Sequence, residues 1–230
     1  YARFAIFGLI GITLNQLLFF KGLSLTSAVN TSLIAINIPI FTIALSAILG
    51  GEKLSLRRVG GIVLAAIGVI YLIDPTRASF GSESTVGDLL IVANSFCYAL
   101  YMAIAKDTIA RYGALKSIAW LFIFGSVVNI PVGIWSVQSV ELTSVTWTAW
   151  IFVAGLIVFP TILAYYWNAW ALSRVEPSIV AVYIYLQPLI GFITAAIFLG
   201  EHFTTRLLVA AALVFGGLYF ATTKRRAKVS

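Results

Sequence analysis

Amides and phenols recur at helical spacing inside otherwise apolar runs, and they are the residues of this chain best suited to chemistry. Residues three, four or seven apart share one side of a helix. Asn94, Tyr98 and Tyr101 form one such stripe; Thr161, Tyr165 and Asn168 form a second, Tyr183 and Gln187 a third, and Asn30 with Asn37 a fourth. Gln16, beside Asn15, adds polarity above Phe19. These groups donate and accept hydrogen bonds without fixed charge, and their rings add flat apolar surface. The chemistry they offer is recognition of a zwitterionic or amphipathic small molecule. The residues expected to bind it are Gln16, Asn37, Asn94, Tyr98, Tyr101, Tyr165, Asn168, Tyr183 and Gln187. The plainer alternative is hydrogen bonding between helices, or an aromatic belt at a membrane surface.

Catalytic groups are scarce by comparison. Cys97 is the only cysteine and His202 the only histidine, so neither an intrachain disulfide nor a Cys/His metal site can be assembled. The eight acids, Glu52, Asp74, Glu83, Asp88, Asp107, Glu141, Glu176 and Glu201, all lie at the ends of apolar runs or between them. An ionisable group at membrane depth is costly and normally functional. None is evident, which argues against a paired-acid enzyme and against a proton or sodium relay. No metal, cofactor or enzymatic activity is expected.

The elements that must hold these residues follow from composition. The chain is 61% hydrophobic and 10% charged over 230 residues, and its mean hydropathy is +1.02. About a quarter of the residues of a soluble domain are charged, so this surface is built for lipid. Apolar runs fall at Phe4–Phe20, Ser27–Leu49, Val59–Ile73, Gly87–Ala105, Leu115–Val137, Trp147–Leu172, Pro177–Leu199 and Leu207–Thr222. About 20 residues cross the hydrocarbon core as a helix, so the fold class is an all-α polytopic membrane protein with about eight spans. Val59–Ile73 is short and must recruit Ser55–Arg58 to cross.

The net charge of +7 is confined to turns and to the tail Lys224-Arg225-Arg226-Ala227-Lys228. That distribution anchors a membrane protein and gives no nucleic-acid footprint. With eight spans, Arg3, Lys53, Arg57, Arg58, Lys106, Arg111, Lys116, Arg174 and the tail share one side, whereas Lys21, Arg77 and Arg206 share the other. Basic residues collect on the cytoplasmic face, so both visible ends are expected there, in a plasma or inner membrane.

A repeat appears at an offset of 149 residues. Gly22–Ile73 overlies Ala171–Thr222 without a gap, matching Leu23-Ser24 with Leu172-Ser173, Pro39 with Pro188, Gly51-Glu52 with Gly200-Glu201, Arg57 with Arg206 and Gly68 with Gly217. Glu52 falls in a turn on the basic side and Glu201 in a turn on the opposite side, so the two copies are expected to be inverted in the bilayer. Such halves can exchange inward-open and outward-open shapes. Pro39 and Pro188 each remove a backbone donor, making a helix kink that suits a cavity wall. Glu52 and Glu201 read as caps between spans. Gly60, Gly61, Ala65 and Gly68 form a small-residue face for close helix contact.

At Pro39, Ala47-Ile48-Leu49-Gly50-Gly51-Glu52-Lys53-Leu54, Gly60–Gly68, Ala171-Leu172-Ser173, Pro188 and Phe198-Leu199-Gly200-Glu201, the sequence resembles the EamA-type family of the drug/metabolite transporter superfamily. The resemblance implies a ten-helix carrier of two inverted five-helix repeats, many of whose members export amino acids or other small metabolites. On that pattern the chain lacks the first two helices. Residues 1–73 would be the last three helices of the first repeat, 74–86 an external linker, 87–222 the second repeat and 223–230 a basic cytoplasmic tail. The expected partners are a small metabolite and the lipid bilayer. The readings from other classes are a membrane-embedded receptor or assembly factor without transport and, behind it, an intramembrane enzyme.

Overall fold

The computed structural model describes residues 1–53, 55–73, 75–78, 84–138, 145–199 and 205–223. Asp74, Glu83, Glu141, Glu201, His202 and the tail from Lys224 lie outside the described residues, as does much of the expected linker. Among the described residues seven helices are long and apolar enough to cross a membrane: α1 (Ala2–Leu23), α2 (Ala28–Ile48), α3 (Leu56–Ile73), α4 (Thr85–Tyr112), α5 (Ala114–Val137), α6 (Trp147–Leu172) and α8 (Thr205–Thr222). Between α6 and α8, α7 covers 177–199 in three pieces, Pro177–Val182, a 3₁₀ turn at Tyr183–Tyr185, and Leu186–Leu199. The protein is an all-helical, polytopic membrane protein.

Local chemistry sets the ends. The Ser27 hydroxyl accepts from the Asn30 amide at 3.0 Å and starts α2. Helix α3 begins at Leu56, recruiting the basic pair Arg57 and Arg58 that lengthens its short apolar run. Helix α4 runs seven residues past the apolar stretch and stops at Gly113, whose φ of 85° a side chain would strain.

The closest pairing joins α3 to α8. Gly61 lies against Gly217 and Ala221, and Gly68 against Ala210, Leu213 and Val214, so residue numbers rise along one helix as they fall along the other. The two helices that match in sequence are therefore antiparallel. The contact of Gly61 with Gly217 has its counterpart, 149 residues on, in Ala210 with Gly68, and Ala65 with Gly217 has one in Val214 with Gly68. A Cβ on Gly61 would stand 2.5 Å from the Ala221 nitrogen and 2.6 Å from the Gly217 oxygen, so only glycine admits this approach. A Cβ on Gly60 would meet nothing within 4 Å, so Gly60 is not part of the contact face.

Irregularities recur at the same offset. Helix α1 widens to a π turn at Leu9–Leu14 and α6 does so at Ile157–Leu163. Pro160 has no N–H for the Leu156 carbonyl, and the Thr161 hydroxyl donates to that oxygen at 3.0 Å instead. Helix α2 breaks at Ile36 and α7 at Tyr183–Tyr185, in each case in the turn preceding the matched proline. The two breaks touch: the Tyr185 hydroxyl donates to the Ile36 carbonyl at 2.9 Å. A proline disturbs the turn before it because its ring crowds that turn's carbonyls.

Candidate functional site

A cavity of about 710 Å³ opens among α1, α2, α4, α6 and α7. Helix α1 contributes Asn15, Gln16 and Phe19, and α4 contributes Asn94 and Tyr98. Tyr165 and Asn168 enter from α6, and Tyr183 and Gln187 from the break in α7. Thus Gln16, Asn94, Tyr98, Tyr165, Asn168, Tyr183 and Gln187, dispersed over more than 170 positions of sequence, meet around one space. No acid, lysine, arginine or histidine lines it among the described residues.

Hydrogen bonds fix part of this lining. The Asn94 side-chain amide donates to the Asn15 carbonyl at 2.7 Å, and Asn15 returns a bond to the Asn94 carbonyl at 3.4 Å. Gln16 Oε1 accepts from the Asn129 amide on α5 at 3.2 Å. The Tyr165 hydroxyl reaches the Gly11 carbonyl, inside the π turn of α1, at 3.4 Å. Asn168, Tyr183 and Gln187 line the cavity and make no side-chain hydrogen bond with a described residue.

Two expected residues do not join them. Tyr101 is 1% exposed, its ring lies beside Phe7, and it fills the space over Gly11 where a Cβ would come within 2.8 Å. It is core between α1 and α4, because α1 closes on α4 one turn below Tyr98. Asn37 donates to the Ile34 carbonyl of its own helix at 3.0 Å, patching the break in α2, and does not line the cavity. The prolines divide as well. Pro39 is buried in the helix, whereas Pro188 lines a smaller cavity of about 300 Å³ with Ala35, Ile36, Ile184 and Tyr185, the residues of the two breaks. Phe19, Ile184 and Gln187 border both cavities.

Sequence reasoning passed over Pro160 and Trp167, which line the main cavity, and Asn129, which holds Gln16. The dipeptide Pro160-Thr161 within an apolar run was the available signal. It also took Glu52 for a cap. Glu52 instead has a side chain only 2% exposed, and one of its oxygens accepts from both Arg58 and the hydroxyl of Ser178. Glu176 stands 3.9 Å from Arg58 on its other side. Glu52 therefore ties the α2–α3 turn to the start of α7. At the other end of the bundle Asp88, in the first turn of α4, accepts from Thr26 and from Asn30 at 3.2 Å and so ties the start of α2. The starts of α2 and α7 are equivalent under the 149-residue offset, and each is held by a carboxylate from another element.

The EamA-like transporter family matches residues 1–73 and 85–223 of the chain. An uncharacterized transporter of Archaeoglobus fulgidus is 28% identical over 229 residues, covering 98% of this chain and 77% of that protein. The uncharacterized transporter YyaM of Bacillus subtilis is 27% identical over 223 residues, covering 95% and 72%. A Salmonella typhimurium protein named "Probable amino-acid metabolite efflux pump" is 30% identical over 205 residues, covering 83% and 67%. One solved crystal structure superposes with a TM-score of 0.78 at 22% identity, over 95% of this chain and 76% of the other, a likeness of fold.

Proposed function

Because the chain belongs to the EamA-like transporter family, whose members are membrane transporters and not enzymes, we propose that it exports a small zwitterionic metabolite such as an amino acid, by alternating access. The observation that carries this reading is the cavity itself, lined by amides, phenols and aromatic rings and by no carboxylate, lysine, arginine or histidine among the described residues. A zwitterion has no net charge to neutralise, and amides can serve both its ammonium and its carboxylate. The aromatic lining suits an apolar side chain. The similarity to a protein named as an amino-acid metabolite efflux pump supports the same substrate class and direction.

Two inverted units, 1–73 and 87–222, rock about the cavity in this reading. The antiparallel α3–α8 contact and the matched breaks of α2 and α7 support it. Glu52 and Asp88 supply one tie at each end of the bundle, so opening to either side parts one of them while the other holds. The end carrying Lys53, Arg58 and Arg174 faces the cytoplasm, following the bias of basic residues.

Counterflow of radiolabelled amino acids in proteoliposomes tests the proposal. Exchange of at least one neutral amino acid is expected, reduced at least about tenfold by Asn168→Ala with Gln187→Ala, which removes two unengaged hydrogen-bonding groups. No movement across a broad metabolite panel would favour a receptor or assembly factor. A preference for solutes of net charge would overturn the zwitterion assignment. Cysteines introduced at Lys53 and Arg206 should label from opposite faces of the membrane, and labelling from one face removes the inverted arrangement.

A further inference from the structure

We propose that a second cleft, between the α4–α5 turn and the end of α6, binds the headgroup of an anionic phospholipid from the surrounding bilayer. The cleft has a volume of about 680 Å³. Tyr112, Gly113, Leu115 and Lys116 form one wall, and Tyr166, Trp170 and Arg174 the other. It is separate from the cavity described above and shares no lining residue with it.

Its electrostatics are one-sided. The Arg174 guanidinium stands 4.0 Å over the Trp170 ring and donates to the Trp170 carbonyl at 3.0 Å and to the Ser173 hydroxyl at 3.1 Å. The charge is thus held in position, with guanidinium donors to spare. Lys116 is exposed on the opposite wall, and Arg111 lies just outside, over the Tyr112 ring at 5.6 Å. Among the described residues no acid lines the cleft; Asp107, one turn before Arg111 on α4, is exposed and outside the lining. Among the described residues the ion pairs belong to Arg58, so Arg111, Lys116 and Arg174 have none.

A comparison within the same end of the bundle selects this cleft. A similar space at the start of α3 holds Arg57 and Arg58, but Glu176 also lines it and Glu52 pairs with Arg58, so acids face its arginines. The α4–α5 cleft keeps its charge.

The setting favours a lipid over a free anion. The cleft lies where three apolar spans end, and Tyr and Trp at that level mark the headgroup region. Leu115 is 70% exposed and Trp170 46%, so an acyl chain has apolar surface below the phosphate. Helix α6 carries both sites on neighbouring stripes: Asn168 and Ala171 line the cavity, while Tyr166 and Trp170 line the cleft. A bound headgroup would clamp the inner end of a helix that also walls the cavity.

The test is lipid retention by the full chain in nanodiscs of mixed phosphatidylglycerol and phosphatidylcholine, read by native mass spectrometry. Wild type should retain phosphatidylglycerol about tenfold over phosphatidylcholine, and Lys116→Gln with Arg174→Gln should bring that ratio near one. Lys116→Arg should keep it. Arg57→Gln, which removes a charge from the competing cleft, should leave the ratio unchanged; an equal fall there would show diffuse surface charge and overturn the site. Equal retention of both lipids by wild type, or an unaltered ratio in the double variant with wild-type thermal unfolding, would also overturn it. Displacement of the lipid by inorganic phosphate, with the same dependence on Lys116 and Arg174, would make it a free-anion site and end the lipid assignment.

Discussion

Helices α3 and α8 meet at backbone distance, whereas the first half of α6, Trp147–Leu156, buries none of its residues. The first region is specified by absence of side chains: a Cβ on Gly217 would lie 2.6 Å from the Ala65 nitrogen and from the Gly61 oxygen. The second carries large apolar groups such as Phe152 and Leu156, exposed at 70% and 63%, and leads into a π turn that walls the cavity. Both are apolar by sequence. In a bilayer, burial of apolar surface does not distinguish them, because lipid tails are as apolar as leucine; close van der Waals packing does. The contrast marks α3–α8 as the close-packed frame on which the two units meet and the first half of α6 as a loosely packed wall.

Breaking the frame should have the largest effect. Gly61→Val or Gly217→Val places branched side chains against backbone, a clash that side-chain rotation cannot relieve, and should destabilise the fold by about 3 kcal/mol or more. Loss of monodisperse protein on size exclusion and of cooperative thermal unfolding is the expected readout. If either variant unfolds like wild type, α3–α8 is no frame.

The tie between frame and broken helix comes next. Glu52→Ala removes the acceptor of Ser178 and Arg58; Arg58 keeps some water, so a loss of about 1–3 kcal/mol is expected, less than for a fully buried pair. Opening at that end should become easier, seen as faster labelling of a cysteine placed at Ile179, which is buried beside Ser178. Unchanged labelling would confine Glu52 to stability.

In the wall, Pro160→Ala restores an N–H for the Leu156 carbonyl and competes with the Thr161 hydroxyl. Counterflow should fall several-fold while the midpoint of thermal unfolding moves by no more than a few degrees. Equal losses of transport and folding would mean that the π turn is only a packing device. The smallest effect belongs to Gly155→Ala, where an added Cβ meets nothing within 4 Å: stability should stay within about 0.5 kcal/mol, and helix propensity favours the alanine. A large loss there would show that the first half of α6 is packed after all, and the comparison would lapse.

Much of the fold was legible in the chain because its signals are local. A run of about 20 apolar residues fixes a span whatever its neighbours are, and the positions of the eight runs agree with the helices to within a few residues except where α4 continues to Tyr112. The repeat was legible from Pro39 and Pro188, Gly68 and Gly217. Its earlier part was not: the π turns of α1 and α6 match in shape, although Gly11 and Pro160, which occupy equivalent places, share no side-chain chemistry.

By itself the sequence determined that this protein lives in lipid, that two of its stretches match at an offset of 149 residues, and that charges keep to the ends of its apolar runs, because hydrophobic length and charge placement act on each segment separately. Tertiary structure alone decided which of those polar groups share a space. Tyr98 faces the cavity and Tyr101, three residues on, is sealed against Gly11, since only the approach of α1 determines which side of α4 is closed. The partner of Glu52 was out of reach for the same reason: Ser178 lies 126 positions away, and a hydrogen bond depends on distance in space, to which distance along the chain is no guide.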